Sequence, residues 1–363
     1  MFWNKKDEPS PLGVPLGDLM VMLQPTSIKG SLKGNTLTAR HEHYTIRLEV
    51  VPPETRESEN GPIRAVVRMI TELPKPTPVA RARDARSLRR IGMTTQRRAT
   101  RMNMRDKCPP WVIFHVPHDS MLVPSEVRRQ ITLTDGELDE ELIKMTDHLT
   151  LLLFASGAPE AQVIRAPASR LVVDVERFAD DRREPMADRG MGAVYSVTSS
   201  LKPLRRPLLD GERDALMLAY YRPHLARLEA AVSTAIDLHG RCLVIDCHSF
   251  PSLALPYELA DPAVARPGIC IGTDASHTSR ELAIAFVAAF QREGWSVDLN
   301  QPFAGALVPG SRYGQDRRVN AVMVEINRQL YLRESDATPL PAFATVAERV
   351  RNRCMAAIAA CNT

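Results

Sequence analysis

The sequence predicts an α/β fold for the part of the chain that begins near Cys108, because strand-like apolar runs alternate there with helical patterns. Four of the apolar runs end beside a residue that can bind a metal ion or transfer a proton. They are WVIFHVP before His118, LVVDV before Glu176, CLVID before His248 and AVMV before Glu325. In an open α/β sheet, ligands bind outside the carboxyl ends of the strands. The four residues therefore predict a single cleft.

The first half of this region supplies two strands and two helices. After the first strand, Thr134 is a typical helix cap that precedes an acidic first turn, and Gly157 follows the end of this helix. LVVDV is predicted to be the second strand, followed by an irregular polar loop over about 178–206. The apolar spacing then predicts a long helix over about 211–238, which Pro223 should kink.

The second half continues the alternation to the end of the chain. The predicted strands are CLVID, GICIG, WSVDL and AVMVEI, since each is a short apolar run bounded by turn residues. The predicted helices are SRELAIAFVAAFQREG and the terminal PAFATVAERVRNRCMAAIAA, and PFAGALVPGSRYGQ is predicted to be a loop. This order favours one large domain over 108–363.

The front of the chain differs in composition and charge. Residues 1–74 contain partly alternating apolar residues, which predict a small β-rich segment of unknown role. Residues 75–107 are predicted to be a basic linker, since ten basic and two acidic residues lie between Arg81 and Lys107. Nucleic-acid binding is disfavoured because this segment lacks interleaved aromatic residues. The first 107 residues carry 20 basic and 11 acidic side chains, so the basic character belongs to the front.

The bulk composition is that of an ordinary globular protein. The apolar fraction is 44% and the charged fraction 25%, and no apolar run approaches the length that spans a bilayer. We therefore expect a cytoplasmic protein with no membrane partner. The six cysteines form no CxxC pair, and three of them lie in or beside predicted strands, which favours reduced thiols.

Two histidines at strand ends are the primary metal candidates. Imidazole nitrogen is a preferred zinc ligand, and a catalytic zinc site uses three protein ligands and one open position. We expect His118 and His248 to be two of the ligands, and Asp246 to orient His248 because it shares the same strand face. Asp147 is the expected third ligand, with Glu126 and His148 as its competitors. By contrast, His115 is expected to pack or to cap, because a spacing of three places it on the face opposite His118 in an extended strand.

Glu325 is the expected general base. It follows four apolar residues, so a dry site should raise its pKa toward useful basicity. Arg177 is expected to stabilise an oxyanion, and Arg170 to bind substrate, because guanidinium groups recognise carboxylates and oxyanions. The other substrate-side candidates are Arg312, Tyr313 and Arg328.

Six motifs in the same order resemble the N-formylglutamate amidohydrolase family. They are VPHDS around His118, TD at 146–147, SRLVVDVER at 169–177, DCHS at 246–249, NQPFAGALVP at 300–309 and VEINRQLY at 324–331. The resemblance covers about 108–335. At a further remove the chain is similar to zinc carboxypeptidases, whose IHS motif is like CHS here and whose catalytic glutamate ends a strand like Glu325.

The resemblance implies a zinc carboxypeptidase-like three-layer sandwich, with a mixed, largely parallel sheet of about eight strands and one zinc ion per chain. The chain departs from the resembled pattern at three places. PHDS replaces the usual PHSG or PHAG, Glu176-Arg177 replaces the usual Asn-Arg, and the carboxypeptidase HxxE lacks its glutamate. The missing glutamate is the reason why Asp147 enters as the third ligand.

Together these observations predict a zinc amidohydrolase that acts on a small anionic N-acyl amino acid. The substrate implied by the resemblance is N-formyl-L-glutamate, which would give formate and L-glutamate. The alternatives are another N-acyl amino acid, a small peptide, or a non-catalytic binding protein on the same fold.

Overall fold

The chain divides into two compact units, Met1–Arg98 and Ala99–Thr363. The computed structural model describes residues 29–33, 36–41, 44–51, 66–72, 108–261 and 263–361. In the first unit, four described strands form an antiparallel sheet in chain order: β1 (Lys29–Lys33), β2 (Thr36–His41), β3 (Tyr44–Val51) and β4 (Val66–Glu72). They fall in the segment expected to be β-rich. The basic linker predicted over 75–107 lies outside the described residues.

The main sheet of the second unit has six strands among the described residues. They are β5 (Val112–Val116), β6 (Val163–Arg165), β7 (Cys242–Phe250), β8 (Ile269–Gly272), β9 (Val297–Leu299) and β10 (Val319–Asn327), in the spatial order β6-β5-β7-β10-β8-β9. Only the pairing of β10 with β8 is antiparallel. The mixed, largely parallel character is therefore confirmed, although about eight strands were expected. Two further short strands, β11 (Leu332–Arg333) and β12 (Thr338–Pro339), form a separate pair.

The first predicted helix is interrupted. After the short helix α1 (Ser125–Arg128), α2 (Asp135–Met145) begins with a capping box between Thr134 and Glu137 and ends at Met145. The apolar pattern then resumes in α3 (Thr150–Phe154). The interruption positions the site, because it places Asp147 in a turn between two helices.

The long helix also has an irregular stretch. It consists of α4 (Glu212–Leu216), a π-helical turn (Met217–Tyr221) and α5 (Arg222–His239). Pro223 lies in the first turn of α5, where its missing N–H is tolerated because first-turn N–H groups need no helical acceptor. Gly240, with a φ of 70°, ends the helix in the left-handed conformation.

The remaining predicted helices are confirmed. Ser279 caps α6 (Arg280–Gln291), and α7 (Phe343–Ala360) ends the described chain. Short 3-10 turns lie at Glu160–Gln162, Asp181–Arg183, Ala187–Arg189, Pro256–Glu258 and Arg328–Leu330. None of the helices that the structure describes is long and apolar enough to cross a membrane.

One predicted strand is wrong. LVVDV at 171–175 forms turns, and β6 occupies the sheet edge next to β5. Val172 and Val173 are buried in a cluster with Val127 and Met217, so the run is apolar because it fills the core beside the π-helical turn. A short apolar run is compatible with a strand or with another buried segment, and here tertiary packing decides.

Alternate residues of the central strands enter two apolar clusters. Val112 and Phe114 pack in a cluster with residues of α3, α6 and α7, whereas Ile113 packs in a cluster with Leu228 and Val232 of α5. Because successive strand residues point to opposite faces, both faces of β5 are buried against helices. Polar side chains near the carboxyl ends of the strands are therefore held on a rigid support.

A protein shortened to begin at Met102 is expected to fold and to bind metal, because all six strands of the main sheet come from residues after 111. Thermal unfolding and metal content, measured beside the full-length protein, check this expectation. A shortened protein that is insoluble or metal-free would contradict it.

Candidate metal centre

The central strands bring the predicted residues to one edge of the sheet. His118 follows the end of β5, and His248 lies near the carboxyl end of β7. Glu325 of β10 is directly opposite His248 in the parallel pairing of β10 with β7. The register of the sheet therefore places the expected base, Glu325, beside the expected metal ligand His248. This register cannot be read from the sequence.

Asp147 lies in the turn after α2, and its side chain reaches both histidines. Its backbone N–H donates to the carbonyl oxygen of His118 at 2.9 Å, which ties this turn to the loop after β5. Its Oδ2 lies 3.0 Å from His248 Nδ1 and 3.6 Å from His118 Nδ1. The three side chains are buried and their ligand atoms are close enough to hold one metal ion.

The two competitors for the third ligand lie elsewhere. Glu126 is exposed and accepts a hydrogen bond from the Tyr220 hydroxyl. The Nε2 of His148 bonds to the carbonyl oxygen of Ile143, and neither residue belongs to a metal-capable group among the residues that the structure describes.

Both histidines are oriented by a carboxylate behind the ring. The Nε2 of His118 lies 2.9 Å from Asp174 Oδ1, and the Nε2 of His248 lies 3.1 Å from Asp246 Oδ1. Since an ionised carboxylate can only accept, each Nε2 carries a proton, and Nδ1 is the ring atom that faces Asp147 Oδ2 and that a metal ion would take. The Nδ1 of His118 is buried without a hydrogen-bond partner in the described part of the chain. Two imidazole nitrogens and a carboxylate oxygen are a donor set that suits zinc.

The electrostatic field of the cluster favours a positive charge. Burial opposes protonation of His248, yet the carboxylates of Glu176 and Asp246 raise its pKa well above the usual value. Burial and Arg170 likewise oppose protonation of His118, but Asp174 and Glu176 outweigh them and raise its pKa. The same field would stabilise a metal cation between the two rings.

Asp174, which the sequence analysis did not single out, lies behind His118. Besides His118, its carboxylate accepts from Arg170 Nη2 at 2.9 Å and from the Tyr195 hydroxyl. All four side chains are buried or nearly so. Asp174 therefore connects the predicted substrate residue Arg170 to the orientation of a metal ligand.

Arg328 lies behind Asp147. Its Nη2 donates to Asp147 Oδ1 at 3.0 Å, its Nη1 to the carbonyl oxygen of Lys144 at 2.6 Å, and its Nε to Ser249 Oγ at 3.2 Å. Although Arg328 was expected to bind substrate, these contacts use the guanidinium to hold the free oxygen of Asp147. Oδ2 is thereby kept facing the histidines.

Glu325 is buried, and its Oε2 has no hydrogen-bond partner among the described residues. Burial raises the pKa of Glu325 to about 8; the positive charge of a protonated His248 opposes this rise, and the negative charges of Asp147 and Glu176 add to it. A cation bound by the cluster would lower this pKa again, since positive charge favours the ionised form. The geometry therefore places a proton acceptor next to the candidate metal ligands.

His115 does more than pack or cap. It is fully buried, its Nδ1 lies 2.8 Å from Asp246 Oδ1, and its Nε2 lies 2.8 Å from His224 Nε2. His224 comes from α5, so a chain of hydrogen bonds leads from this helix through Asp246 to His248. In the sequence, this series of hydrogen bonds was indicated only by the presence of His115 close to His118.

A cavity of about 370 Å³ opens over the cluster. Its lining includes the predicted residues His118, Asp147, Arg170, Arg177, His248, Glu325 and Arg328, together with Asp174 and Glu176. The structure does not bring Arg312 and Tyr313 into this lining. Arg312 pairs with Glu229 and Asp316, and the Tyr313 hydroxyl donates to Asp274.

Arg177 is the cavity arginine with the weakest protein contacts. Its Nη1 is 3.5 Å from Glu184 Oε1, its Nε is 3.7 Å from Asp174 Oδ2, and this Nε has no hydrogen-bond partner within the described residues. Arg170, by comparison, uses its Nε for Tyr195 and its Nη2 for Asp174. Arg177 is therefore better placed than Arg170 to donate to a group inside the cavity.

Comparisons with known proteins point to one family. A sequence model described as N-formylglutamate amidohydrolase matches residues 111–332. The crystal structure of N-formylglutamate amidohydrolase from Ralstonia eutropha is similar at a TM-score of 0.59 and 19% identity, over 69% of this chain and 93% of that one. A gene product from Agrobacterium tumefaciens is similar at a TM-score of 0.50 and 20% identity, over 70% and 92% of the two chains. No curated protein sequence shows a significant match.

His224 predicts a pH dependence of stability. Burial and the neighbouring His115 lower the pKa of His224 to about 2, whereas in the unfolded chain it is about 6.5. Below pH 6.5 the unfolded chain binds a proton that the folded chain cannot, so the free energy of unfolding decreases as the pH falls. For His224→Gln we expect this decrease between pH 7 and pH 5 to be smaller by about 2 kcal/mol.

Urea unfolding of both proteins at the two pH values, with chelator present throughout, measures this difference. Equal pH dependence of the two proteins would show that His224 is not held in its neutral form by the fold.

Proposed function

Because the chain belongs to the N-formylglutamate amidohydrolase family, we propose that it hydrolyses the amide bond of an N-acyl amino acid with the aid of one bound zinc ion. The observation that carries the proposal is the grouping of His118, Asp147 and His248 below a cavity that Glu325 also lines, with its Oε2 unpaired among the described residues. N-formyl-L-glutamate is the first substrate to test, and its products would be formate and L-glutamate.

The metal would be held by His118 Nδ1, His248 Nδ1 and Asp147 Oδ2, the three atoms that face one another in the cluster. A zinc ion bound there supplies Lewis acidity, which polarises a substrate carbonyl and makes a nearby water more acidic. Asp174 and Asp246 hold the two rings in the tautomer that this binding needs, and Arg328 holds Asp147. These partners come from separate parts of the chain, so the folded domain preorganises the ligand set.

Glu325 would act as the general base. Its unpaired Oε2 accepts a proton from the water that attacks the acyl carbon, and it then donates this proton to the departing amine nitrogen. The attacking oxygen forms a bond to the acyl carbon, the carbon–nitrogen bond breaks, and a carboxylic acid and an amine leave. Arg177 would donate to the oxyanion that develops on the former carbonyl oxygen, an effect of a few kcal/mol in other hydrolases.

The alternative substrates are another N-acyl amino acid or a small peptide. The carboxylate of Glu176 faces the cavity beside His118 and His248 and adds negative charge there, which favours those that carry less negative charge than N-formyl-L-glutamate. A panel of N-acyl amino acids and dipeptides, given to metal-loaded protein, tests the function. Zinc binding without hydrolysis of any member would favour a non-catalytic binding protein.

We expect His118→Ala and His248→Ala each to lose zinc and activity while the fold survives, because the apolar core does not depend on the metal. Metal analysis after gentle purification and circular dichroism measure the two properties. Glu126→Ala is the matched control, since Glu126 lies outside the metal-capable groups, and it should keep full zinc. Full zinc in either histidine variant would remove that residue from the ligand set.

For Glu325→Gln we expect zinc to be retained while turnover falls by roughly 100-fold or more, as for the loss of a general base. Steady-state kinetics with the best substrate of the panel, on protein of measured zinc content, check this. Turnover like that of the unchanged enzyme would exclude Glu325 from the proton transfer.

A further inference from the structure

Glu176 is the acid of the metal centre that its surroundings hold least firmly. Its side chain is 20% exposed and lines the cavity over the cluster, whereas the three aspartates of the centre are exposed by at most 2%. No arginine or lysine among the described residues forms an ion pair with it. Its ion-pair contacts are all to imidazoles, those of His115, His118 and His248. Its negative charge is therefore not paired with a permanently charged side chain of the described chain.

The two carboxylate oxygens of Glu176 face different rings. Oε1 lies 3.1 Å from His248 Nε2, the nitrogen of that ring that does not face Asp147. Oε2 lies 3.6 Å from His118 Nδ1, and Asp147 Oδ2 lies at the same distance from this nitrogen. Two ligand atoms of a tetrahedral zinc ion are about 3.3 Å apart, because zinc bonds to nitrogen and oxygen are about 2.0 Å long. Both carboxylates are therefore close to ligand spacing from His118 Nδ1.

Of the metal-capable groups that contain Glu176, one includes His118 and another includes His115. Both nitrogens of His115 are already engaged, since Nδ1 bonds to Asp246 and Nε2 to His224. By contrast, His118 Nδ1 is buried and has no hydrogen-bond partner in the part of the chain that the structure describes. A cation therefore finds a free nitrogen at His118, and it is on this side that Glu176 can reach it.

The three other candidate ligands are each oriented by a further side chain. These supporting side chains are Asp174 for His118, Asp246 for His248 and Arg328 for Asp147. The carboxylate of Glu176 has a single hydrogen-bond partner within the described residues, His248. It can therefore turn toward a bound ion, and away from it again, without breaking a contact to a guanidinium group.

We propose that Glu176 is a fourth, displaceable ligand of the metal, bound through Oε2 while the cavity holds no substrate. This inference rests on the metal centre of the proposed function. A carboxylate that is largely removed from water needs a cation or donors in its place, and an ion on His118 Nδ1 supplies the cation. Since Glu176 alone lacks a supporting side chain, it is the ligand that a water or a substrate oxygen replaces. Its departure opens the position that a catalytic zinc site requires.

The affinity for zinc gives the first test. Competition with a chelator of known affinity is measured for the unchanged protein, for Glu176→Gln and for the control Glu140→Gln, which removes an exposed charge of α2. We expect Glu176→Gln to bind zinc about ten-fold or more weakly, and the control to bind it like the unchanged protein. Equal affinity of all three proteins overturns the inference.

Because the loss of an outer-shell partner also lowers metal affinity by about 10–100-fold, the coordination itself is measured as well. Cobalt(II) in place of zinc reports the number and type of its ligands in its visible spectrum. At full cobalt occupancy, we expect one spectrum for the unchanged protein and the Glu140→Gln control, and a different one for Glu176→Gln. Identical spectra of all three contradict direct ligation by Glu176.

A crystal structure of the zinc-loaded, substrate-free protein decides the same point without a variant, so a glutamine variant that fails to fold leaves the test intact. We expect Glu176 Oε2 about 2.0–2.2 Å from the ion. A water molecule between the ion and Glu176 would overturn the inference while leaving the proposed function in place.

None of these measurements uses turnover. If zinc-loaded protein hydrolyses no member of the substrate panel, the proposed function fails, and the affinity, the cobalt spectra and the crystal structure still decide the role of Glu176. An unchanged protein that binds no zinc contradicts both.

Discussion

Asp147, Asp174 and Asp246 are almost completely removed from water, and an ionised carboxylate in such a place is stable only if donors or a cation replace its hydration. Each of the three meets this requirement with an imidazole and at least one further donor. For Asp147 that donor is Arg328, for Asp174 it is Arg170, and for Asp246 it is the backbone N–H of Leu307. The positions of the two candidate metal-ligating rings follow from this pairing.

The pairing also connects the site to the whole domain. The rings lie near the ends of adjacent strands, Asp147 lies in the break between α2 and α3, and Arg328 follows β10. The pKa of His118 and that of His248 are both raised by the surrounding acids despite burial. A bound metal ion would supply the positive charge that otherwise comes from protonation of His118 and His248. Metal binding and the packing of the domain are therefore expected to stabilise each other.

The sequence predicted the residues whose signal is local. His118, His248 and Glu325 could be identified because each ends an apolar run, and the cavity brings all three together. The residues that it missed depend on tertiary contacts. His115 is buried as expected, but its hydrogen bonds to Asp246 and His224 were missed, because the spacing argument assumes an extended strand up to His118, whereas β5 ends at Val116. The supporting role of Arg328 depends on a contact with a residue 181 positions away, which no local pattern specifies.

Secondary-structure patterns failed where packing and strand pairing competed. LVVDV has the composition of a strand, yet the sheet edge is taken by the shorter β6, and the run fills an apolar cluster instead. Because this segment does not join the sheet, Asp174 lies beside His118 and Glu176 lies beside His248. The acids that distinguish this cavity thus come from a segment whose conformation only the complete fold determines.

We propose that His118, Asp147 and His248 together bind the catalytic metal. Anomalous diffraction from zinc-soaked crystals, collected on both sides of the zinc absorption edge, tests it directly. We expect one strong peak within bonding distance of His118 Nδ1, His248 Nδ1 and Asp147 Oδ2. A peak coordinated instead by His115, Glu176 and Asp246, or no peak at the cluster in zinc-saturated protein, would contradict it.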